Sequence, residues 1–313
     1  MPKNLKRKDK ILVSGSLGID SIFGLGGTIN SAIHFSGKKL GKQNMMFFGK
    51  DKKECFGGTA GNIAYGLGLM KERPIVVSAA GKDFGPFKDH LKRFADLRVV
   101  EDKDNYTAVC YMMTDDIGEQ IGIFQPNAYG IHSEKLSLKK QLTNKDWKDI
   151  GIAIFSPGAA TNMVSQMKEF RKAGRPEAMV IFDPGQIMLI SFTWKLLEEA
   201  FRLSDRCIVN DFEFKMLRER FGFSVQDIFK LGVTFVIETQ GAKGSTLYEP
   251  DKTTHVAAVR AKKVVDPTGA GDAFRAGLIS GLNSGMSMVK SMARGAKLGA
   301  LSIEHQGGQT YSM

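Results

Sequence analysis

Residues 264–277, VVDPTGAGDAFRAG, place three glycines and two aspartates between an apolar run and a predicted helix. The pattern predicts that VVD ends a strand and that GAGDAF begins a helix. Backbone N–H groups in the first turn of a helix have no partner within it, and they lie at its positive end. The segment therefore predicts an anion hole for phosphate oxygens. Its donors would be the N–H groups of Gly269, Ala270 and Gly271.

Asp272 is an unexpected neighbour for an anion hole, because a carboxylate repels a phosphate. Its presence is explained if it accepts the proton of a hydroxyl group that attacks the same phosphate. The structural alternative is that Asp266 or Asp272 only satisfies donors at the start of the helix, as aspartates often do. The motif as a whole favours a catalytic role over a structural one, with Asp272 as the general base.

The glycine-rich segment FGGTAGNIAYGLGLM, residues 56–70, leads into another predicted helix. Glycines at such a junction let a ligand approach the backbone closely. Asn62, in the first turn, carries both a donor and an acceptor, which suits the two hydroxyls of a diol. A helix that packs tightly through Gly61, Gly66 and Gly68 is an equally supported structural alternative.

The segment VNDFEF, residues 209–214, places polar side chains where a predicted strand ends. Asn210 is the last strand residue, and Glu213 follows three positions on, so both can face one ligand on a helical turn. The structural alternative is a capped helix.

The segment IETQGAKGS, residues 237–245, has a similar arrangement, with Thr239 at the end of a strand. Gly241 and Gly244 in the following loop would let nucleotide phosphates lie against the backbone. A simple hairpin turn is the alternative here.

Short apolar runs rich in β-forming residues alternate with segments of helical spacing along most of the chain. Such alternation produces a parallel sheet covered on both faces, so the predicted fold class is α/β. The predicted strands are 11–15, 74–79, 152–156, 178–183, 206–210 and 234–239, and the clearest helices are 60–70, 84–95 and 161–174. Ligands of these sheets bind beyond the carboxyl ends of the strands. Candidate residues at those ends are Asp20, Asp183, Asn210 and Thr239.

Two regions interrupt the alternation. Residues 22–54 show no long helical period, and residues 105–124 predict a hairpin around the turn DDIG. Together they predict a small β-layer that would act as a lid over the site. One hairpin face would meet the substrate, and the other could meet the lid of a second subunit in a homodimer. Aromatic lid residues could form a slot for a purine base; they are Phe23, Phe47, Phe48 and Phe124.

Composition argues against several other classes. The 44 basic and 33 acidic residues give a net charge of +11, but only MPKNLKRKDK is a basic run, so no nucleic-acid partner is predicted. No apolar run approaches about 18 residues, so no membrane span is predicted. Three cysteines without CxxC spacing favour neither a disulfide framework nor a zinc site, which fits a cytoplasmic location. GLGG, residues 24–27, lacks the helix start of a dinucleotide fingerprint, and the sequence contains no P-loop or protein-kinase motif.

In this order, GGTAGN, NDFE, TQGAKG and DPTGAGDAF resemble the motifs of the PfkB, or ribokinase-like, carbohydrate and nucleoside kinases. The resemblance extends from about residue 11 to 310, and DPTGAGD is highly specific to that family. It implies one ribokinase-like domain over residues 1–313, with three layers, a mostly parallel central sheet flanked by helices, and a small β-sheet lid inserted as 22–54 and 104–128. It also implies ATP as phosphoryl donor and the hydroxymethyl group of a sugar or nucleoside as acceptor.

The resemblance further implies roles by position. Asp272 matches the catalytic base, beside the anion hole at residues 269–271. Asn210 and Glu213 match the motif that organises Mg²⁺ and the phosphates through water. The other matches are a nucleotide loop at Thr239, Gly241 and Gly244, an acceptor-hydroxyl site at Asp20, Gly58 and Asn62, and a monovalent-cation site, suited to K⁺, at Asp266 and Thr268 with carbonyls near Gly307.

Within the family, FGGTAGNIAYGLGLM, TDDIGEQIGIFQPNA, FSPGA and FDPGQ look most like the prokaryotic adenosine-kinase-like branch. This chain departs from that branch at Asn127, where the branch has a glycine. The sequence predicts an ATP-dependent nucleoside kinase with adenosine as the best single acceptor. One alternative is a ribose or fructose-like sugar kinase of the same family. Another is a non-catalytic ligand-binding relative, against which the intact GAGD turn counts.

Overall fold

The computed structural model describes residues 9–32, 35–36, 39–40, 46–133 and 135–313, so most of the basic run at residues 1–10 lies outside the described residues. The strands in these ranges are β1 Lys10–Ser14, β2 Gly18–Leu25, β3 Phe35–Ser36, β4 Lys39–Leu40, β5 Gly49–Gly57, β6 Ile75–Ala80, β7 Asp96–Glu101, β8 Ala108–Thr114, β9 Gln120–Gln125, β10 Ile150–Phe155, β11 Met179–Phe182, β12 Arg206–Asn210, β13 Phe235–Thr239, β14 Ser245–Glu249 and β15 Lys252–Val256. The helices are α1 Ile29–Ala32, α2 Thr59–Leu69, α3 Gly85–Leu91, α4 Asn127–Ser133, α5 Leu138–Gln141, α6 Asn144–Asp149, α7 Ala160–Ala173, α8 Met188–Ser191, α9 Trp194–Arg202, α10 Asp211–Glu219, α11 Val225–Lys230, α12 Ala270–Asn283 and α13 Met288–Ser302.

The larger sheet has nine described strands in the order β7-β6-β1-β10-β11-β12-β13-β14-β15. The strands from β7 to β13 pair in parallel, and β14 and β15 add an antiparallel hairpin at one edge. The six strands predicted from the sequence all lie in this sheet. Their apolar runs are continuous because a parallel sheet is covered on both faces.

The core has two layers, one on each face of the larger sheet. Side chains of β10 alternate between them, with Ala153 and Phe155 on one face and Ile152 and Ile154 on the other. Helices α7, α9, α10 and α11 cover the first face, and α2, α3, α12 and α13 cover the second. The predicted three-layer α/β fold is therefore confirmed. In the described ranges, no helix is both long enough and apolar enough to cross a bilayer.

The second sheet consists of the described strands β5-β2-β8-β9, in that order, and we call it the lid sheet. Strand β2 pairs antiparallel with β5 and parallel with β8, and β8 and β9 form a hairpin around the predicted turn DDIG. The sheet extends beyond the predicted segments 22–54 and 104–128, because β2 begins at Gly18 and β5 ends at Gly57. Parts of the first segment, residues 33–34, 37–38 and 41–45, lie outside the described residues.

The prediction that VVD ends a strand is wrong. Residues 264–266 form a loop in which Val264 is 71% exposed, so this apolar pair does not belong to a buried strand. The N–H groups of Val265 and Asp266 both donate to the carbonyl of Ile303, at 2.8 and 3.2 Å, rather than to a neighbouring strand. The loop is thereby tied to the end of α13.

Asn127 begins α4 with a φ of 42°, a backbone conformation that glycine adopts freely and asparagine tolerates better than most residues. Its Nδ2 donates to the carbonyl of Thr107 at 3.0 Å. Asparagine can therefore replace glycine here without a change of backbone, and its amide fastens α4 to the residue before β8.

Candidate active site

The N-terminus of α12 carries the predicted base and anion hole. Gly269 precedes the helix with a left-handed φ of 77°. The N–H of Ala270 donates to the carbonyl of Pro267 at 3.2 Å, so the expectation that all three N–H groups are unpaired is wrong at this position. The turn around Pro267 closes on itself and uses that donor. No group in the described part of the chain accepts from the N–H of Gly269 or Gly271, which leaves two donors for an anion.

Asp272 stands in the first turn of α12 and is held by a chain of amide groups. Asn62 Nδ2 donates to Asp272 Oδ2 at 2.9 Å, and Gln309 Nε2 donates to Asn62 Oδ1 at 3.0 Å. Gln309 fixes the orientation of the Asn62 amide, so Asn62 must present its N–H₂ to the carboxylate. Burial raises the pKa of Asp272 to about 6, against the lowering effects of Arg275 and of the Asn62 hydrogen bond.

The predicted location of Asp20 at the end of the first strand is wrong. Strand β1 ends at Ser14, and Asp20 lies on β2 of the lid sheet, between its cross-strand partners Cys55 and Cys110. Gly15 and Ser16 do not continue one strand; they link strands of two different sheets. Asp20 therefore belongs to the lid sheet rather than to the larger sheet.

The Asp20 carboxylate is only 8% exposed, and no other described residue is hydrogen-bonded to it. Burial, together with the charges of Asp272 and Asp266, raises its pKa to about 7. An unpaired buried carboxyl of this kind is costly unless a ligand supplies its donors. Because the charge of Asp272 acts on Asp20, the two carboxyl groups lie near each other.

Gly58 joins β5 to α2 with a φ of 78° and a ψ of 140°. A Cβ added there would lie 2.6 Å from both the carbonyl oxygen of Ser16 and the backbone nitrogen of Gly18. The backbone N–H of Ala60 donates to the same Ser16 carbonyl at 3.0 Å. Only glycine lets this junction pack against the link between the two sheets, close to Asp20.

Asp266 organises the loop where a monovalent cation was predicted. Its Oδ1 accepts from the N–H of Thr268 at 2.9 Å, and its Oδ2 accepts from Gln306 Nε2 at 2.7 Å and from the N–H of Gly307 at 2.8 Å. These bonds bring Thr268 and Gly307 together. They also occupy most of the carboxylate, so backbone carbonyls would have to supply most of the ligands of an ion.

Asn210 and Glu213 form a reciprocal cap at the start of α10. The N–H of Glu213 donates to Asn210 Oδ1 at 2.7 Å, and the N–H and Nδ2 of Asn210 donate to the Glu213 carboxylate at 2.9 and 3.0 Å. The capped helix, which was the structural alternative for this segment in the sequence, is thus present. Glu213 is also buried, and burial raises its pKa to about 7 against the charge of Arg275.

Thr239 lies beside Asn210 in the register of β12 and β13. Gly241 and Gly244 shape the following loop with φ values of 55° and 95°, and a Cβ at Gly244 would lie 2.3 Å from the carbonyl oxygen of Val256. Both glycines therefore adopt backbone conformations that other residues rarely take, and Gly244 packs directly against the chain after β15.

Two residues of the site, Gln309 and Arg275, were not predicted from the sequence. Gln309 anchors Asn62, and Arg275 forms a bidentate ion pair with Asp183, the residue after β11. Both partnerships join positions far apart in the chain, and neither leaves a local sequence pattern. Asp183 was a candidate by position, but its carboxylate is occupied by Arg275.

Comparison with known proteins identifies one family, because the sequence profile of the pfkB family carbohydrate kinases matches residues 22–313. The nucleoside kinase of Methanocaldococcus jannaschii is 26% identical over 309 residues, covering 97% of this chain and 93% of that protein. The structure of Burkholderia thailandensis nucleoside kinase in complex with inosine superposes with a TM-score of 0.82 at 33% identity, covering 96% and 93% of the two chains. The fructokinase of Escherichia coli is 26% identical over 82% of this chain and 88% of that protein. The chain belongs to the PfkB family of carbohydrate kinases and is a phosphotransferase that acts on a hydroxyl group.

Proposed function

We propose that this kinase transfers the γ-phosphoryl group of ATP to the 5′-hydroxyl of a nucleoside, with adenosine as the preferred acceptor. The observation that carries the proposal is the composition of one face of the lid sheet. Asp20, Cys110 and Phe124 lie side by side in register across β2, β8 and β9, so their side chains share a face. Ile22 and Met112 stand two residues further along the same face and are half-buried.

This face offers a carboxylate beside apolar side chains, which matches the two parts of a nucleoside. The ring hydroxyls of the nucleoside would donate to Asp20, and its nucleobase would lie against Phe124, whose side chain is 45% exposed. Of the four aromatic residues considered for a base slot, Phe23 points to the opposite face, because it is an odd number of positions from Asp20 along β2. Phe47 and Phe48 lie outside the strands of the lid sheet.

The reaction follows from the placement of Asp272 and the α12 N-terminus. Asp272 accepts the proton of the acceptor hydroxyl as its oxygen bonds to the γ-phosphorus, and the bond from that phosphorus to the bridging oxygen of ADP breaks. The free N–H groups of Gly269 and Gly271 stabilise the charge on the transferred group. Asn62 orients the Asp272 carboxylate through its hydrogen bond at 2.9 Å.

Ions are expected in two places. No group of three or more His, Cys, Asp or Glu residues in the described ranges is arranged to hold a metal ion alone. The residues therefore fit Mg²⁺ bound mainly by nucleotide phosphates, with Glu213 acting through water, and bound Mg²⁺ would neutralise phosphate charge. The loop held by Asp266 and Thr268 would hold K⁺ through its carbonyls. Thr239, Gly241 and Gly244 would contact the nucleotide.

The relatives support this assignment, because two of those compared are nucleoside kinases. A fructokinase is also similar, and Asp20 alone would serve a sugar equally well. The apolar face around Phe124 favours the nucleoside, since a free sugar has no base to cover it.

The test is ATP consumption with a panel of nucleosides and free sugars, using the wild type, Phe124→Ala and Ile190→Ala. Loss of base stacking costs about 1–3 kcal/mol, so Phe124→Ala should raise the KM for a nucleoside about 5- to 150-fold and leave the KM for ATP unchanged. Ile190→Ala is the control, since Ile190 is an 86% exposed apolar residue on α8, outside the lid sheet. Turnover of sugars alone would establish the sugar-kinase alternative, and binding without turnover of any acceptor would establish the non-catalytic one.

The outer face of the lid sheet, opposite Asp20, carries exposed apolar side chains. Tyr111 and Ile123 are cross-strand partners there and are 40% and 55% exposed. We propose a homodimer through this face. Sedimentation should detect a dimer that Ile123→Ala weakens, whereas a monomer at all concentrations would refute it.

A further inference from the structure

Asp183 and Arg275 form a buried ion pair next to the proposed base. Asp183 is 1% exposed and Arg275 is 7% exposed. Arg275 Nε donates to Asp183 Oδ2 at 2.5 Å, and Arg275 Nη2 donates to Asp183 Oδ1 at 2.6 Å. This two-pronged geometry fixes the plane of the guanidinium as well as its position.

The third nitrogen of Arg275 ties the pair to the catalytic turn. Its Nη1 donates to the carbonyl of Gly271 at 3.1 Å, in the residue immediately before Asp272. Asp272 and Arg275 are three positions apart on α12 and therefore lie on neighbouring parts of its surface. No hydrogen bond joins them directly, because the donors of Arg275 are directed to Asp183 and Gly271.

We infer that the Asp183–Arg275 pair is a positioning element of the kinase, which holds a positive charge beside Asp272 and thereby favours its ionised form. The inference rests on the proposed function, since it takes Asp272 to be the base. Asp183 has a separate task in this arrangement. It keeps the guanidinium from pairing with Asp272 itself, so the base remains free to accept a proton.

The surroundings of Asp272 explain why a fixed cation is useful. Three carboxyl groups from other elements face the cluster: Asp20 from β2, Glu213 from α10 and Asp183 after β11. Tyr311 faces it from the C-terminal segment, and Asn62 from α2. Burial and the Asp183 charge raise the pKa of Asp272 to about 6, whereas Arg275 and Asn62 lower it. Arg275 is therefore the charged group that opposes protonation of the base.

The test compares the pH dependence of kcat, at saturating ATP and acceptor, in Arg275→Met and Asp183→Asn. Loss of an opposite charge at this range shifts a carboxyl pKa by about 1–3 units. Arg275→Met should move the acidic midpoint of kcat upward by at least about one pH unit, with activity recovering as the pH is raised. Asp183→Asn should move the midpoint downward, because the positive charge of Arg275 is then uncompensated. A merely structural role would lower kcat in both variants without moving the midpoint.

Controls separate these effects from loss of folding. Arg171→Met removes another arginine that pairs with an aspartate, Asp205, at 2.8 Å, and it should leave the midpoint unchanged. Should Arg275→Met not fold, Arg275→Lys keeps the charge and should retain a midpoint within about half a unit of the wild type. The double variant Asp183→Asn/Arg275→Met loses both charges and should shift upward less than Arg275→Met, since Arg275 affects Asp272 more than Asp183 does.

Unshifted midpoints in the folded variants would overturn the inference. The variant Asp272→Asn distinguishes failure of the positioning inference from failure of the proposed function. Full activity in that variant refutes the base and the positioning role together. Loss of activity there, combined with unshifted midpoints in the Asp183 and Arg275 variants, refutes the positioning role alone.

Discussion

Gly58→Ala is the substitution for which the structure gives the most specific expectation. The added Cβ would lie 2.6 Å from Ser16 O and Gly18 N, and 2.8 Å from the carbonyl carbon of Leu17. All three are backbone atoms of the link between β1 and β2, so no side-chain rotation relieves the overlap. The backbone strain of alanine at this conformation costs about 1–3 kcal/mol. Overpacking of this kind adds about 1–3 kcal/mol. We expect a total loss of about 2–6 kcal/mol in the free energy of unfolding.

Gly285→Ala is the matched control. Gly285 has a φ of 75°, close to the 78° of Gly58, but a Cβ there would meet no atom within 4 Å. It should cost only the conformational strain, which is about 1–3 kcal/mol, the same as the strain at Gly58, without the overpacking. Denaturant unfolding measures both losses, and acceptor KM measures the displacement of Asp20 that follows if the link moves. Equal losses in the two variants, with acceptor KM unchanged in both, would refute the steric argument.

Three further predictions concern the site. Asp272→Asn should lower kcat by about 10² to 10⁴ with ATP affinity retained, and near-normal turnover would contradict the assignment of the base. The KM for the acceptor should rise about tenfold from pH 8 to pH 6, because Asp20, with a pKa of about 7, loses its charge as the pH falls. Asp20→Asn should abolish this pH dependence of KM. If the dependence remains in that variant, another group is responsible for it. Amide hydrogen exchange of β2, β5, β8 and β9 should slow when acceptor is added, measured by mass spectrometry, and equal protection with and without acceptor would mean that the lid sheet does not close.

The larger sheet was predictable from the sequence, and the reason is physical. A strand buried on both faces is a continuous apolar run, as in residues 150–155. Strand β7 was missed, because it lies at the edge of the sheet and its sequence DLRVVE includes charged residues. Strand β2 was missed for another reason. Its polar Asp20 and Ser21 suggested the end of a strand, whereas both are buried within a new one.

The site was predictable where a local motif determines the backbone, and not where distant residues meet. The glycines around residue 269 predict the start of α12 because few other residues adopt the left-handed conformation found there. The partners of Asp272 and Asp183 were not predictable. Asn62 is 210 positions from Asp272, and Arg275 is 92 positions from Asp183. Such pairs arise from the order of strands in the sheet, which periodicity does not encode.

The lid sheet and α12 are separate elements, and under the proposed function this separation divides acceptor recognition from phosphoryl transfer. Asp20 and Phe124 would contact the acceptor from strands that share no backbone with the helix carrying Asp272. Substitutions on one face of β2, β8 and β9 can therefore change which alcohol is accepted while the phosphoryl-transfer machinery remains intact. Acceptor preference can in this sense be changed separately from catalysis, and redesign toward another alcohol should begin at residues 22, 112 and 124.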